Sequence, residues 1–123
     1  AGGLVQAGCQ SAVGTAAAMA AAGYATVLGG STEHILLAAE LALEPHIGLA
    51  CDPEGARIQQ PCIERNALAA GRAVRAAQNA LRQPQPRGAL DARVRTMVLR
   101  GREMAGRYKQ ASLGGIVVNV SDC

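Results

Sequence analysis

The chemistry of this chain is centred on its cysteines, which are Cys9, Cys51, Cys62 and Cys123. Cys9 opens a long apolar segment, Cys51 lies in a loop, and Cys62 follows Pro61 where a helical pattern begins. The partial positive charge of a helix N-terminus favours the thiolate, which is the form that binds iron and zinc. Ligands from separate elements can converge on one ion or cluster, and the spacing is compatible with that.

Spacing alone leaves more than one interpretation open. The chain has no Cys-x-x-Cys pair of the zinc type, and it lacks ferredoxin spacing. Buried, inert cysteines are equally compatible with it. A disulfide scaffold is a third possibility, but a helical, alanine-rich sequence without a secretion signal argues against it.

The elements that must position these cysteines are helices. Apolar spacing predicts them over residues 9–28, 31–44 and 61–81, and a fourth begins at Leu90. Gly29-Gly30 ends the first helix, Ser31 or Thr32 caps the second, and Pro45 stops it. The residues after Gly114-Gly115 predict an extended C-terminal tail. We expect an all-α bundle of about four helices.

Composition predicts how these helices pack. Aromatic residues make up 2% of the 123 residues, and there is no Phe or Trp, so the core must form by close packing of small residues. The first helix is apolar on every side, which is typical of a helix buried in a large protein. We therefore expect this chain to be part of something larger, prone to oligomerise, and to aggregate or stay partly unfolded when it is expressed alone.

Charge and composition argue against two classes of partner. Ten of the twelve Lys and Arg residues lie between Arg72 and Lys109, but no aromatic residues interleave with them for base stacking. A solvated helix face is the better interpretation, without nucleic acid. Residues 11–28 are uncharged but mostly alanine, with threonine and glycine, so we expect no membrane span.

Three motifs carry a resemblance to a known family. They are Gly8-Cys9-Gln10, the run Gly48-Leu49-Ala50-Cys51-Asp52-Pro53, and the run Pro61-Cys62-Ile63-Glu64-Arg65-Asn66-Ala67. In this order, and over nearly the whole chain, the sequence resembles the iron–sulfur-dependent L-serine dehydratases, or L-serine ammonia-lyases. The third run is the most specific.

The resemblance implies an all-α catalytic domain with a [4Fe-4S] cluster held by Cys9, Cys51 and Cys62. It implies a cytoplasmic lyase of amino-acid degradation and gluconeogenesis that converts L-serine to pyruvate and ammonia. No pyridoxal phosphate is expected, and Lys109 is the only lysine. Residues 1–123 would be the C-terminal part of that domain, with the N-terminal portion on the same chain or on a separate subunit.

Further site residues remain as alternatives. His46 is a candidate base, although a structural or solvent-facing histidine fits equally. Arg65 is a candidate for the substrate carboxylate, because a guanidinium fork suits it, or it forms an ion pair with Glu64 or Asp52. Cys123 is a candidate ligand for the open iron of the cluster.

Two residues depart from the family pattern. Ala12 stands where relatives usually carry Glu, and Pro45 where they usually carry His. These departures keep open the alternative of a non-catalytic remnant of the fold. A related cluster-dependent lyase acting on cysteine or threonine is a separate alternative.

The end of the chain yields a first prediction. Ile116, Val117, Val118 and Val120 give the tail an apolar face worth burying, so we expect Cys123 to fold back onto the open iron until serine displaces it. Cys123→Ser should leave the cluster assembled but more sensitive to oxygen, and should alter the apparent affinity for serine. If Cys123→Ser instead abolishes cluster assembly as completely as Cys51→Ser does, Cys123 is a structural ligand and this prediction is wrong.

Overall fold

The computed structural model describes residues 8–50 and 60–104, and these form helices without any strand. The helices are α1 (Thr15–Val27), α2 (Thr32–Leu43), α3 (Gln60–Leu81) and α4 (Leu90–Glu103). A π-helical turn, Gln10–Gly14, leads into α1, and a 3-10 turn, Glu44–His46, follows α2. The all-α bundle of about four helices is confirmed. Cys51, Cys123 and the tail expected to be extended lie outside the described residues.

Alanine forms the contact surfaces of the first three helices, which pack against one another pairwise. In α1 the buried alanines recur at every fourth position, so they line one face. The buried alanines of the three helices are Ala17, Ala21, Ala25, Ala38, Ala39, Ala42, Ala69, Ala73, Ala76, Ala77 and Ala80. The predicted packing through small residues is therefore confirmed.

The connection between α1 and α2 uses both of the predicted signals. Gly29 has φ +83°, and the Gly30 N–H donates to the carbonyl of Ala25, as in a helix that ends on glycine. Ser31 then caps α2, since its hydroxyl accepts from the His34 N–H. The His34 Nε2 lies 2.9 Å from the carbonyl of Gln83 and so donates to it, which ties this corner to the end of α3.

Helix α4 is attached to α2 through a buried carboxylate, Glu40. Glu40 accepts from the Ala89 N–H at 2.6 Å and from the Arg93 Nε at 3.1 Å. Ala89 has no side chain that can cap a helix, and a carboxylate at a helix N-terminus is favourable. Glu40 therefore supplies the cap of α4 from another helix.

The first helix differs from the prediction at its start. It is not α-helical from residue 9, because Gln10–Gly14 is a π-turn with Cys9 as its N-cap. The other helices cover α1 on one side only, in keeping with the expectation that this chain is part of something larger: Met19 is 70% exposed and Val27 lies in solvent. None of the helices in the described part combines the length and apolarity needed to cross a membrane.

Glycine substitutions test the close approach of the helices. A Cβ at Gly30 would lie 2.9 Å from Leu81 Cδ2 and 3.0 Å from the carbonyl oxygen of Ala25, whereas a Cβ at Gly23 would meet nothing. Gly30→Ala should lower the free energy of unfolding by about 1–3 kcal/mol through overpacking. Gly23→Ala should raise it by about 0.5–1 kcal/mol, because alanine is the better helix former. Thermal unfolding followed by circular dichroism measures both, and equal shifts would contradict the packing described here.

Candidate active site

Gln10 follows Cys9 in the chain and is hydrogen-bonded to the segment that leads into Cys51. It therefore connects the turn that begins at Cys9 to that segment. Its N–H donates to the carbonyl of Leu49 at 3.1 Å, and its Oε1 accepts from the Gly48 N–H at 2.8 Å. Gln10 is completely buried, and with Leu43 it is one of the largest side chains buried so fully. These hydrogen bonds fix the position of residues 48–50 relative to Cys9.

The other end of the same side chain is its amide nitrogen, Nε2. Gln10 Nε2 is buried without a hydrogen bond among the described residues. The amide orientation is set by its neighbour, because the Gly48 N–H can only donate and so requires the oxygen. An unsatisfied buried donor costs about 1–3 kcal/mol. Such a group in a native structure calls for an explanation.

Arg65, in the helix that contains Cys62, is hydrogen-bonded to the same segment that precedes Cys51. Its Nη1 donates to the carbonyl of Ala50 at 2.9 Å. Arg65 follows Cys62 by three residues in the first turns of α3, and Ala50 directly precedes Cys51. The Gly48–Ala50 segment is therefore hydrogen-bonded both to the turn after Cys9 and to the helix that carries Cys62.

Two of the predicted ligands are visible, and both are thiols. Cys9 is buried in the core cluster, against which Leu49 packs, and Cys62 is half-buried. Cys51, the third predicted ligand, lies outside the described residues. Within residues 8–50 and 60–104, no three His, Cys, Asp or Glu side chains are placed to hold a metal ion.

His46 is a buried side chain at the end of the 3-10 turn. Its Nδ1 lies 2.9 Å from the carbonyl of Ala42, which can only accept, so Nδ1 carries the proton. In the neutral ring Nε2 then has the free lone pair. Gly14 allows this arrangement, since a Cβ there would lie 3.1 Å from both the His46 Cβ and Leu43 Cδ1.

The two departures from the family pattern occupy different surroundings. Ala12 is half-buried in the π-turn beside Gln10, whereas Pro45 is exposed at the start of the 3-10 turn, where its missing N–H is tolerated. Asp52 and Cys123, which figured in the predictions, lie outside the described residues.

The roles of Gln10 and Glu40 are not predicted from the sequence. For Gln10 the sequence offers one signal, which is its position directly after a candidate ligand. Glu40 gave no signal, because its partners are 49 and 53 residues away.

The arrangement fits an iron–sulfur cluster. Thiolates are the ligands such clusters use. Two segments that carry thiols and the segment that leads into the third are hydrogen-bonded together, and an unpartnered amide donor, Gln10 Nε2, lies among them. We therefore treat Cys9, Cys51 and Cys62 as the residues that would hold the cluster.

Comparison with known proteins identifies the class. Residues 5–117 match the family described as serine dehydratase alpha chain, and the chain belongs to this family. It is 47% identical over 114 residues to L-serine dehydratase 1 of Escherichia coli strain K12, covering 92% of this chain and 25% of the relative. It is 50% identical over 115 residues to an L-serine dehydratase of Mycobacterium tuberculosis, covering 93% of this chain and 25% of the relative.

The same comparison sets the extent of the similarity. The L-serine dehydratase of Helicobacter pylori is 45% identical over 112 residues, again with 25% of the relative covered. The chain thus spans about a quarter of the length of the curated relatives it matches. No solved structure gave a significant match.

Hydrogen exchange can test whether Arg65 holds the Gly48–Ala50 segment in place. Arg65→Met should remove the hydrogen bond to Ala50, so the Gly48 and Gln10 amides should exchange several-fold faster. Arg72→Met is the matched control, since Arg72 is an exposed arginine of the same helix, with no hydrogen bond or ion pair found in the described part of the chain. Unchanged protection of Gly48 in Arg65→Met would show that Arg65 does not hold this segment.

Proposed function

We propose that this chain is the cluster-binding part of an enzyme that converts L-serine to pyruvate and ammonia. One observation supports this most: the Gly48–Ala50 segment, which leads into Cys51, is hydrogen-bonded to Gln10 beside Cys9 and to Arg65 in the helix of Cys62. Membership of the serine dehydratase alpha chain family, and relatives named L-serine dehydratase, supply the reaction.

In this proposal Cys9, Cys51 and Cys62 hold a [4Fe-4S] cluster as thiolates. When bound by three cysteines, such a cluster keeps one iron without a protein ligand, and that iron supplies Lewis-acid chemistry for the hydroxyl that leaves. The task of the protein is to keep the three thiolates at a fixed separation. The hydrogen bonds from Gln10 and Arg65 do this on the described side of the site.

The base in this proposal is His46. Because its Nδ1 donates to the carbonyl of Ala42, the tautomer is fixed and Nε2 is left to accept a proton. The His46 residue as a whole is buried, so its ring is held in place by its surroundings. The α-proton of serine is the proton to be taken.

Arg65 has two parts in the proposal. Its Nη1 donates to the carbonyl of Ala50 and in this way positions the segment before Cys51. We assign its half-buried, planar guanidinium to the carboxylate of serine, because this group can donate two parallel hydrogen bonds to a carboxylate.

The reaction balances without an external oxidant or reductant. Removal of the α-proton and loss of the hydroxyl release water and leave aminoacrylate. Its imine tautomer takes up water and gives pyruvate and ammonia. No pyridoxal phosphate is needed in this route.

The outer side of α1 is the surface that we assign to the rest of the enzyme. Met19 and Val27 are exposed there, and a groove of about 290 Å³ runs between α1, α2 and α4. Its lining is apolar apart from Thr15, and includes Ala18, Met19, Leu43, Val94 and Met97. A surface of this kind is typical of a contact between protein parts. We propose that the N-terminal portion, on the same chain or another subunit, covers it.

The experiment is an anaerobic purification of the complete enzyme, followed by iron and sulfide analysis and assays on serine, cysteine and threonine. We expect about four irons per chain, as a cube requires, and pyruvate from serine. Cys9→Ser, Cys51→Ser and Cys62→Ser should each abolish both.

Cys123→Ser provides the matched control, because it removes a thiol that the proposal does not use to assemble the cluster. It should retain iron. An iron-free wild-type enzyme after anaerobic reconstitution would overturn the proposal. Faster turnover of cysteine or threonine than of serine would leave the cluster in place but reassign the substrate.

A further inference from the structure

The unpartnered amide of Gln10 carries an inference that rests on the proposed function. We propose that Gln10 Nε2 donates an N–H···S hydrogen bond to a sulfur atom of the cluster held by Cys9, Cys51 and Cys62. Gln10 is then a positioning residue that stabilises the cluster and tunes its reduction potential.

The Gln10 side chain is close to two of the segments that contain the proposed ligands. Gln10 follows Cys9 directly, and its Oε1 accepts from Gly48, which precedes Cys51 by three residues. Three residues of extended chain span at most about 10–11 Å. The amide therefore lies between two segments that deliver thiolates.

The end of the Gln10 amide that has no partner among the described residues is a hydrogen-bond donor. Gln10 Oε1 is occupied by the Gly48 N–H, so the nitrogen is the end of the amide that remains to be satisfied. An N–H group needs an acceptor, and the sulfur atoms of a reduced cluster are acceptors. Hydrogen bonds to these sulfurs are among the factors that set the potential of a cluster.

The burial of Gln10 distinguishes the cluster from the substrate. Gln10 is 0% exposed, and both its backbone N–H and its Oε1 are held by the protein. A substrate leaves at each turnover, and a donor with no exposed surface would then be left buried without an acceptor. A permanent, buried acceptor suits a resident cluster.

A donor to the cluster has consequences that can be measured. Hydrogen bonds to sulfur favour the more negatively charged, reduced state, so loss of the donor should shift the reduction potential to more negative values. Loss of the donor should also make the release of iron in air several-fold faster.

Two variants remove the donor. Gln10→Met removes the amide and keeps an unbranched chain of similar length. Gln10→Glu keeps an oxygen for Gly48 but removes the donor.

The decisive measurement is pulsed electron paramagnetic resonance of the complete enzyme, with glutamine labelled by ¹⁵N in the side-chain amide and the cluster chemically reduced. We expect a ¹⁵N coupling in the wild type that is absent in Gln10→Met. Gln78→Met is the matched control, because Gln78 is an exposed glutamine of α3, and it should retain the coupling.

Each outcome decides the matter. An iron-loaded wild type without side-chain ¹⁵N coupling would overturn this inference alone, as would a coupling that survives in Gln10→Met. If Gln10→Met fails to hold iron, Gln10→Glu replaces it, and the wild-type spectrum remains decisive. A purely structural role for Gln10 predicts no side-chain ¹⁵N coupling in the iron-loaded wild type. A wild type that binds no iron would overturn the proposed function, and this inference with it.

Discussion

Contact between alanine faces is the constraint on which the rest of this structure depends. Helices α1, α2 and α3 pack pairwise through buried alanines, so their backbones can approach more closely than large side chains would allow. Each alanine buries little apolar area, and the hydrophobic gain per residue is correspondingly small. Stability must therefore come from many close contacts, and at Gly30 even a methyl group would overpack its surroundings.

The candidate site uses the rigidity of this packing but lies at its edge. Cys9 and Gln10 precede α1, the Gly48–Ala50 segment follows α2, and Cys62 lies in the first turn of α3. Because the three helices are fixed relative to one another, the segments at their ends are brought close together. The hydrogen bonds of Gln10 and Arg65 then set the final register. The bundle determines which segments meet, and these polar side chains determine how they meet.

Local signals predicted much of the fold. Gly29-Gly30 and Ser31 marked the corner between α1 and α2, and the spacing of apolar residues gave the helices, because these features depend on residues near in sequence. The site required contacts between distant residues. Gln10 and Gly48 are 38 residues apart, and no periodicity reveals such a pair. The π-turn Gln10–Gly14 also has no local signal in the sequence.

The buried amide of Gln10 also bears on why folding and ligand binding should be coupled here. A core of alanine contributes modest stability, and an unsatisfied donor within it costs about 1–3 kcal/mol. Replacement of Gln10 by an apolar residue would remove that cost but also the hydrogen bond that holds Gly48. Gln10 therefore combines two opposed effects: it positions a cysteine segment, and its own amide nitrogen is buried without a hydrogen bond among the described residues. In the proposed site an acceptor between the cysteine segments would satisfy that nitrogen, and part of the free energy of binding would then stabilise the fold.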